Sequence, residues 1–320
     1  MKQKYTIAGA LVLLIAVLAI MSWDLFFKIE NQTGNQYEYN LDKLKQVDTN
    51  MLCYKENIDV EVPGKKIRGL AVDKDDNIYV TTENNVIIYN NKGEQTATFT
   101  TSQTANCISI GPDATIYVGF KDHIETYNPA GELIAKWDTI NSSAYITSIA
   151  VDETSVFLAD AGNKVVQQFN HKGQLINQIG KKDKEKGIPG LFIPSPYFDV
   201  LIGRDGELWA INSGRHAFEA YDKQGNLKST WKRTSMELDG FSGCCNPSHV
   251  AMLSDGSFVT SEKGIERVKI VYANGDLKCV VAKPDQFVEG TTGLDLAVDS
   301  KDRILVLDPE KGMVRIFEII

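Results

Sequence analysis

Cys244-Cys245-Asn246-Pro247-Ser248-His249 puts two adjacent thiols and an imidazole within six residues. Three chemistries are open to the pair. The first is a vicinal disulfide. Consecutive Cα atoms stand about 3.8 Å apart, below the roughly 4.4–6.8 Å usual for bridged cysteines, so such a ring is strained and easily reduced. The second is thiolate ligation of zinc or copper, with Cys244 joined by His249 or His216. The third is a structural role, with the thiols stapling their loop or staying reduced. Cys53, Cys107 and Cys279 fall in strand-like patterns and read as buried thiols.

Other reactive side chains are sparse. There are four histidines. His171 lies in an Asn-His-Lys-Gly turn and His123 begins a strand, which leaves His216 and His249 as candidates for a site. No Gly-x-Ser-x-Gly elbow, phosphate loop or dinucleotide fingerprint occurs. Asp73, Asp152 and Asp299 read as turn-makers that bond their own backbone. A calcium site needs convergent oxygens, and separate turns of this kind do not converge.

The elements that position these residues come from a repeat. Gly69-Leu-Ala-Val-Asp-Lys-Asp-Asp-Asn-Ile-Tyr-Val80 and Leu294-Asp-Leu-Ala-Val-Asp-Ser-Lys-Asp-Arg-Ile-Leu-Val306 are its clearest copies. Each reads as strand, Asp-rich turn, strand. A third strand then ends in an aromatic before a Gly turn, as at Tyr89 to Gly93 and Tyr221 to Gly225. Six copies of about 40 residues predict an all-β, six-bladed β-propeller. The second strands start at Ile78, Ile116, Val156, Leu208, Phe258 and Ile304. The later, wider spacings contain insertions, of which residues 180–197 and 232–248 are readily placed. The last repeat lacks a fourth strand and a spare strand lies near residues 51–62, so an N-terminal strand is expected to close the ring.

In a propeller the loops entering each blade share a face with those joining strands two and three. The expected ligand-binding face is therefore Tyr197, Asn212, Arg215, His216, Cys244, Cys245, Asn246, His249, Glu262 and Lys263. Asp160, Asn163, Asp308 and Lys311 fall in the same class of loop. Phe198 and Trp209 read as core filling between blades.

The Gly-Leu-Ala-Val-Asp, Asn-Ile-Tyr-Val and Ala159-Asp160-Ala-Gly-Asn163 segments resemble NHL-repeat propellers. Pro194-Ser-Pro-Tyr-Phe-Asp199, Gly243-Cys-Cys-Asn-Pro247 and Thr260-Ser-Glu-Lys-Gly264 are similar to a group of uncharacterised bacterial envelope proteins of that type. The resemblance implies the six-bladed fold. It implies no reaction, since relatives include lyases, lactonase-like enzymes and binding modules.

Ahead of the repeats, Lys2 and Lys4 precede fifteen residues, Ile7 to Met21, with no charge. Residues 5–23 approach the roughly 20 needed to span a bilayer, and no cleavage pattern follows the apolar run. The expected plan is a cytoplasmic stub (1–4), an uncleaved transmembrane anchor (5–23), a stalk (24–50) and a propeller (51–320) on the periplasmic or extracellular side. A net charge of −8 without a basic block argues against nucleic-acid partners. The leading expectation is a membrane-anchored envelope module binding a protein or small ligand, without catalysis or a cofactor. Two alternatives stand beside it. One is a metal-dependent lyase or hydrolase built on His216, His249, Arg215 and Glu262. The other is a redox accessory protein using Cys244-Cys245.

Overall fold

The repeated phrase folds into antiparallel pairs whose turns its aspartates make. Leu70–Val72 pairs with Ile78–Thr81. Between them the Asp73 Oδ1 accepts the N–H groups of Asp75 and Asn77 at 2.9 and 2.8 Å. Asp299 does the same for Lys301 and Arg303, both at 2.9 Å. Asn85–Tyr89 and Gln95–Thr100 complete the first four-stranded blade.

The computed structural model describes residues 14–19 and 44–320. Residues 44–320 form a compact unit of six four-stranded sheets. The ring closes as the strand count requires: Tyr54–Glu61 pairs antiparallel with Met313–Ile319, supplying the outer strand of blade 6. There is no single core. The buried apolar residues fall into six clusters, one at each interface between consecutive blades. Each blade is thus held by its two neighbours.

A recurrent contact locks these interfaces. An outer-strand side chain of one blade rests on the hairpin glycine of the next. Gly275, at φ +86°, would bring a Cβ to 2.5 Å from the Trp231 ring, and Gly93, at φ +82°, to 2.6 Å from Val60. Glycine is needed at both positions, for backbone conformation and for space. Val60 belongs to the closing strand, so the interface between blades 6 and 1 uses the same device as that between blades 4 and 5.

Two expectations need correction. Cys53 and Cys279 are not buried thiols: they form a disulfide across 226 residues. Cys53 N–H also donates to Val280 O at 3.1 Å, tying the entry to the closing strand onto the outer strand of blade 5 (Leu277–Ala282). The membrane anchor also fails. Among the described residues no helix is long and apolar enough to cross a membrane. Of the segment 5–23, only residues 14–19 are described, as helix. The remainder of that segment, the stub at 1–4 and most of the stalk lie outside the described residues. The single-pass topology, the membrane partner and the placement outside the cell therefore lose their support.

Candidate metal centre

The six inner strands share one register. Leu70, Ile108, Ile149, Val200, Val250 and Leu296 each pair with the third residue of their neighbouring strand. The residue before each of them therefore occupies one level around the channel. In blade order these residues are Gly69, Cys107, Ser148, Asp199, His249 and Asp295. Blades 4, 5 and 6 thus present carboxylate, imidazole and carboxylate side by side.

The three groups converge. His249 Nδ1 lies 3.2 Å from Asp295 Oδ1 and 3.8 Å from Asp199 Oδ2. One ligand atom from each residue falls within 4.8 Å of the others. Ligands held about 2.0–2.6 Å from one ion stand roughly 3–4 Å apart when adjacent, so the spacing fits a single divalent cation. The Asp199–His249–Asp295 cluster can hold a metal ion, and it is the only such grouping among the described residues.

Backbone groups of the neighbouring blades orient the carboxylates. Asp199 Oδ2 accepts the N–H of Val250 in blade 5 at 2.8 Å, and Asp295 Oδ2 accepts that of Leu70 in blade 1 at 2.8 Å. Asp199 Oδ1 accepts the hydroxyl of Ser148 from blade 3 and its neighbouring Val200 N–H. Such supporting bonds fix ligand direction. The electrostatics follow from crowding. Burial, opposed by the His249 charge and reinforced by Asp295, raises the Asp199 carboxyl above its ordinary value. Burial pulls the His249 imidazole down, but the charge and hydrogen bonding of Asp295, with the charge of Asp199, carry it above 6.5. Two carboxylates crowded against one imidazole form a site whose negative charge a divalent ion can offset.

Two cavities meet at His249. A channel cavity of about 210 Å³ is lined by Cys107, Ser148, Asp199, His249 and Asp295. A vestibule of about 360 Å³ is lined by Arg68, Asn106, Tyr145, Tyr197, His249 and Glu310, among others. Arg68 is exposed there and donates to Asn106 Oδ1 at 2.7 Å, which aims its guanidinium.

Of the ten residues expected on the binding face, Tyr197 and His249 line this vestibule, their rings edge to face with centroids 6.2 Å apart. Lys263 lies over the Tyr197 ring, its Nζ 4.8 Å from the centroid. The others hold the loops. His216 Nε2 donates to Gly243 O at 2.5 Å and its Nδ1 accepts from Thr234, so both nitrogens are occupied and it ligates nothing. Asn246 clasps Lys263 in both directions at 3.0 Å and donates to Ser242 O. Asn212 bonds Phe192 N–H and Glu219 inside the blade. Arg215 reaches Pro189 O on the first insertion. Glu262 is buried against Arg267 and Lys269, and Lys269 holds Leu238 O and Gly240 O of the second insertion. Cys244 and Cys245 are free thiols, their sulfurs 3.1 Å apart, and neither belongs to the metal cluster. Among the remaining loop residues, Asp160 bonds Tyr145 N–H and Asn163, and Asp308 pairs with Arg315.

Asp199 and Asp295 escape a reading by local motif. One sits behind a Pro-rich stretch and the other inside a repeat copy that reads as scaffold. The signal lies between repeats: Asp295-Leu-Ala-Val-Asp stands where another copy has Gly69-Leu-Ala-Val-Asp. The connection 283–295, which delivers Asp295, is a third long insertion.

No protein-family model and no curated protein matches the chain. Solved structures do match its fold. A streptogramin B lyase superposes with a TM-score of 0.61 at 9% identity, covering 85% of this chain and all of that one. A catalytically inactive virginiamycin B lyase from Staphylococcus aureus, solved with quinupristin, gives 0.58 at 13% identity, covering 80% of this chain and 82% of that one. A protein of unknown function from Bacteroides thetaiotaomicron gives 0.61 at 13%, covering 84% and 76%. At 9–13% identity these likenesses show a shared six-bladed fold. A non-catalytic binding face made of the insertions no longer describes the molecule. Most of the residues chosen for that face are spent on holding loops, while the convergent chemical groups lie in the channel.

Proposed function

We propose that the chain is a divalent-cation-assisted lyase or hydrolase whose small-molecule substrate enters through the vestibule. The observation that carries this reading is the placement of Asp199, His249 and Asp295 at one level of the channel, within ligating distance of a common point. Two carboxylates and one imidazole suit magnesium, manganese, calcium or zinc better than a copper ion held by thiolate. A cation bound there would supply Lewis-acid polarisation of a carbonyl or ester oxygen. The chain's own groups do the rest. Tyr145 and Tyr197 line the entrance, and Arg68 offers a positive charge to an oxygen of the substrate. Asp199 and Asp295, tied to the backbone of neighbouring blades, keep the centre from collapsing onto itself. The distant likeness to proteins named as lyases supports elimination over hydrolysis. The Gly-Leu-Ala-Val-Asp copies support an NHL-type subdivision of the fold.

The test is calorimetric titration of the protein with Mn²⁺, Mg²⁺, Ca²⁺ and Zn²⁺, followed by a screen of cyclic and linear esters in the presence of the best-bound ion. One cation per chain should bind, and His249→Ala should remove both binding and turnover. Elimination would give an unsaturated product without oxygen from labelled water, whereas hydrolysis would incorporate it. Absence of cation binding by correctly folded protein would refute the reading.

A further inference from the structure

The vicinal thiols have no task in the metal centre, nor are they needed to hold their own loop. His216, Asn246 and the backbone of Lys263 already fix residues 242–246. Yet the pair occupies a specific place. Ser195 Oγ donates to Cys245 Sγ at 2.6 Å, the one hydrogen bond among the described residues that joins the first insertion to the second. Ser195 lies four residues before Asp199, and Cys245 four residues before His249. The contact between thiol and hydroxyl therefore joins the two segments that deliver neighbouring ligands. Cys244 is exposed, Cys245 is buried beside it, and their sulfurs already face each other at 3.1 Å.

We propose that Cys244-Cys245 is a modification site for low-molecular-weight disulfides, and that its closure weakens cation binding at Asp199, His249 and Asp295. The second half of this proposal rests on the cation reading given above; the first half does not. The chemistry balances without a further reactant. The exposed Cys244 thiol loses a proton and its sulfur attacks one sulfur of the small disulfide, releasing one thiolate that takes up the proton. Cys245 sulfur then displaces the second thiolate from Cys244, and its own proton passes to that leaving group. Two protein thiols and one disulfide become one protein disulfide and two small thiols. Burial holds the Cys245 thiol above its ordinary value, opposed in part by the Ser195 hydrogen bond and the Lys263 charge, so the exposed Cys244 is the sulfur that attacks first. Adjacent residues form a strained ring, because their Cα atoms stand about 3.8 Å apart against a usual minimum of about 4.4 Å. Strained disulfides are readily reduced, which suits a reversible device and disfavours a permanent staple. Closure must draw the sulfurs from 3.1 Å to about 2.05 Å and remove the thiol, altering the acceptor that Ser195 uses.

The experiment uses the full chain, with oxidised glutathione as the probe and Mn²⁺ as the reporter ion. Mass spectrometry under non-reducing conditions should show loss of two hydrogens from the peptide containing Cys244 and Cys245, with no glutathione retained. Mn²⁺ affinity should fall at least fivefold and recover on mild reduction. Cys244→Ser should abolish both responses. Ser195→Ala, which leaves the thiols intact, should close normally but start with the weaker Mn²⁺ affinity and show no further fall. A persistent glutathione adduct, or no reaction, would overturn the modification site. Closure with Mn²⁺ affinity unchanged would overturn the coupling. Closure in a folded protein that binds Mn²⁺ in neither state would uphold the modification site and sink the cation reading instead.

Discussion

Blades 1 to 3 and blades 4 to 6 share a strand plan and differ in how the chain enters it. The inner strands of the first three are reached by connections of 8, 6 and 9 residues. Those of the last three are reached by 20, 16 and 13 residues. The short-loop half places glycine, cysteine and serine at the channel level; the long-loop half places aspartate, histidine and aspartate. Chemistry has thus been added at the entry to a strand, with the sheets left alone. The halves are also tied together by the same side chains. Asp199 takes the hydroxyl of Ser148 across one junction, and Asp295 takes the N–H of Leu70 across the other. The ligands that distinguish one half are anchored by the other.

The largest effect should come from separating the halves. Deleting residues 51–61 removes the outer strand of blade 6, the Val60 contact on Gly93 and the disulfide, and leaves Met313–Ile319 as a bare edge. Aggregation in size-exclusion chromatography is expected; a monomer with unchanged melting would show that the halves do not need this strand. Cys53→Ser alone should cost less, at most about 5 kcal/mol by the chain-entropy estimate for a loop of that length.

A second effect belongs to the long-loop half only. Burial lowers the Lys269 ammonium to about 8, despite the attraction of Glu262. Between pH 8 and 10.5 the unfolded chain therefore keeps a proton that the folded chain has released, and stability rises with pH in that window, by up to roughly 3 kcal/mol. Denaturant titrations of the wild type should show this rise and Lys269→Met should lack it. An equal slope in both would mean that Lys269 is not the buried support of the second insertion.

At the channel, Asp199→Asn and Asp295→Asn keep an oxygen for the backbone bond but lose the charge. Each should weaken Mn²⁺ binding at least about 100-fold, or roughly 2.7 kcal/mol. Cys107→Ala, at the same level in the other half, should change it less than twofold. A large effect of Cys107→Ala would erase the distinction between the halves. Between these two lies Ser148→Ala. It removes support from Asp199 without touching the ion, and about a tenfold loss in calorimetry is expected. No loss at all would mean that the short-loop half does not steer the ligands.

The blade count and the closing strand could be read from the repeats because alternation, Asp turns and Gly hairpins are local and recur. Most of the centre could not. Asp295 sits in a phrase that reads as scaffold, and only its difference from Gly69 marks it. His216 and Glu262 carry reactive groups on loops of the right class, yet the structure spends both on holding the second insertion. Type and place along the chain do not reveal which hydrogen bonds a side chain has already made. The Cys53–Cys279 bridge was hidden for a related reason: its halves become neighbours only when the ring is shut.

Ring closure also imposes an order in time. Tyr54–Glu61 leaves the ribosome some 250 residues ahead of Met313–Ile319, which at about 5–20 residues per second is a wait of roughly ten to fifty seconds. During that wait it is an unpaired strand, the kind of segment that recruits other chains. Its composition answers the hazard: Lys55, Glu56, Asp59 and Glu61 put a charge at four of its eight positions. One of these charges finds its counterpart late, when Arg315 arrives and donates to Glu56 Oε2 at 2.7 Å. A newborn chain thus carries a self-repelling strand that turns into a seam once the last blade is made, and Asp295, also among the last residues to emerge, completes the Asp199–His249–Asp295 cluster at nearly the same moment.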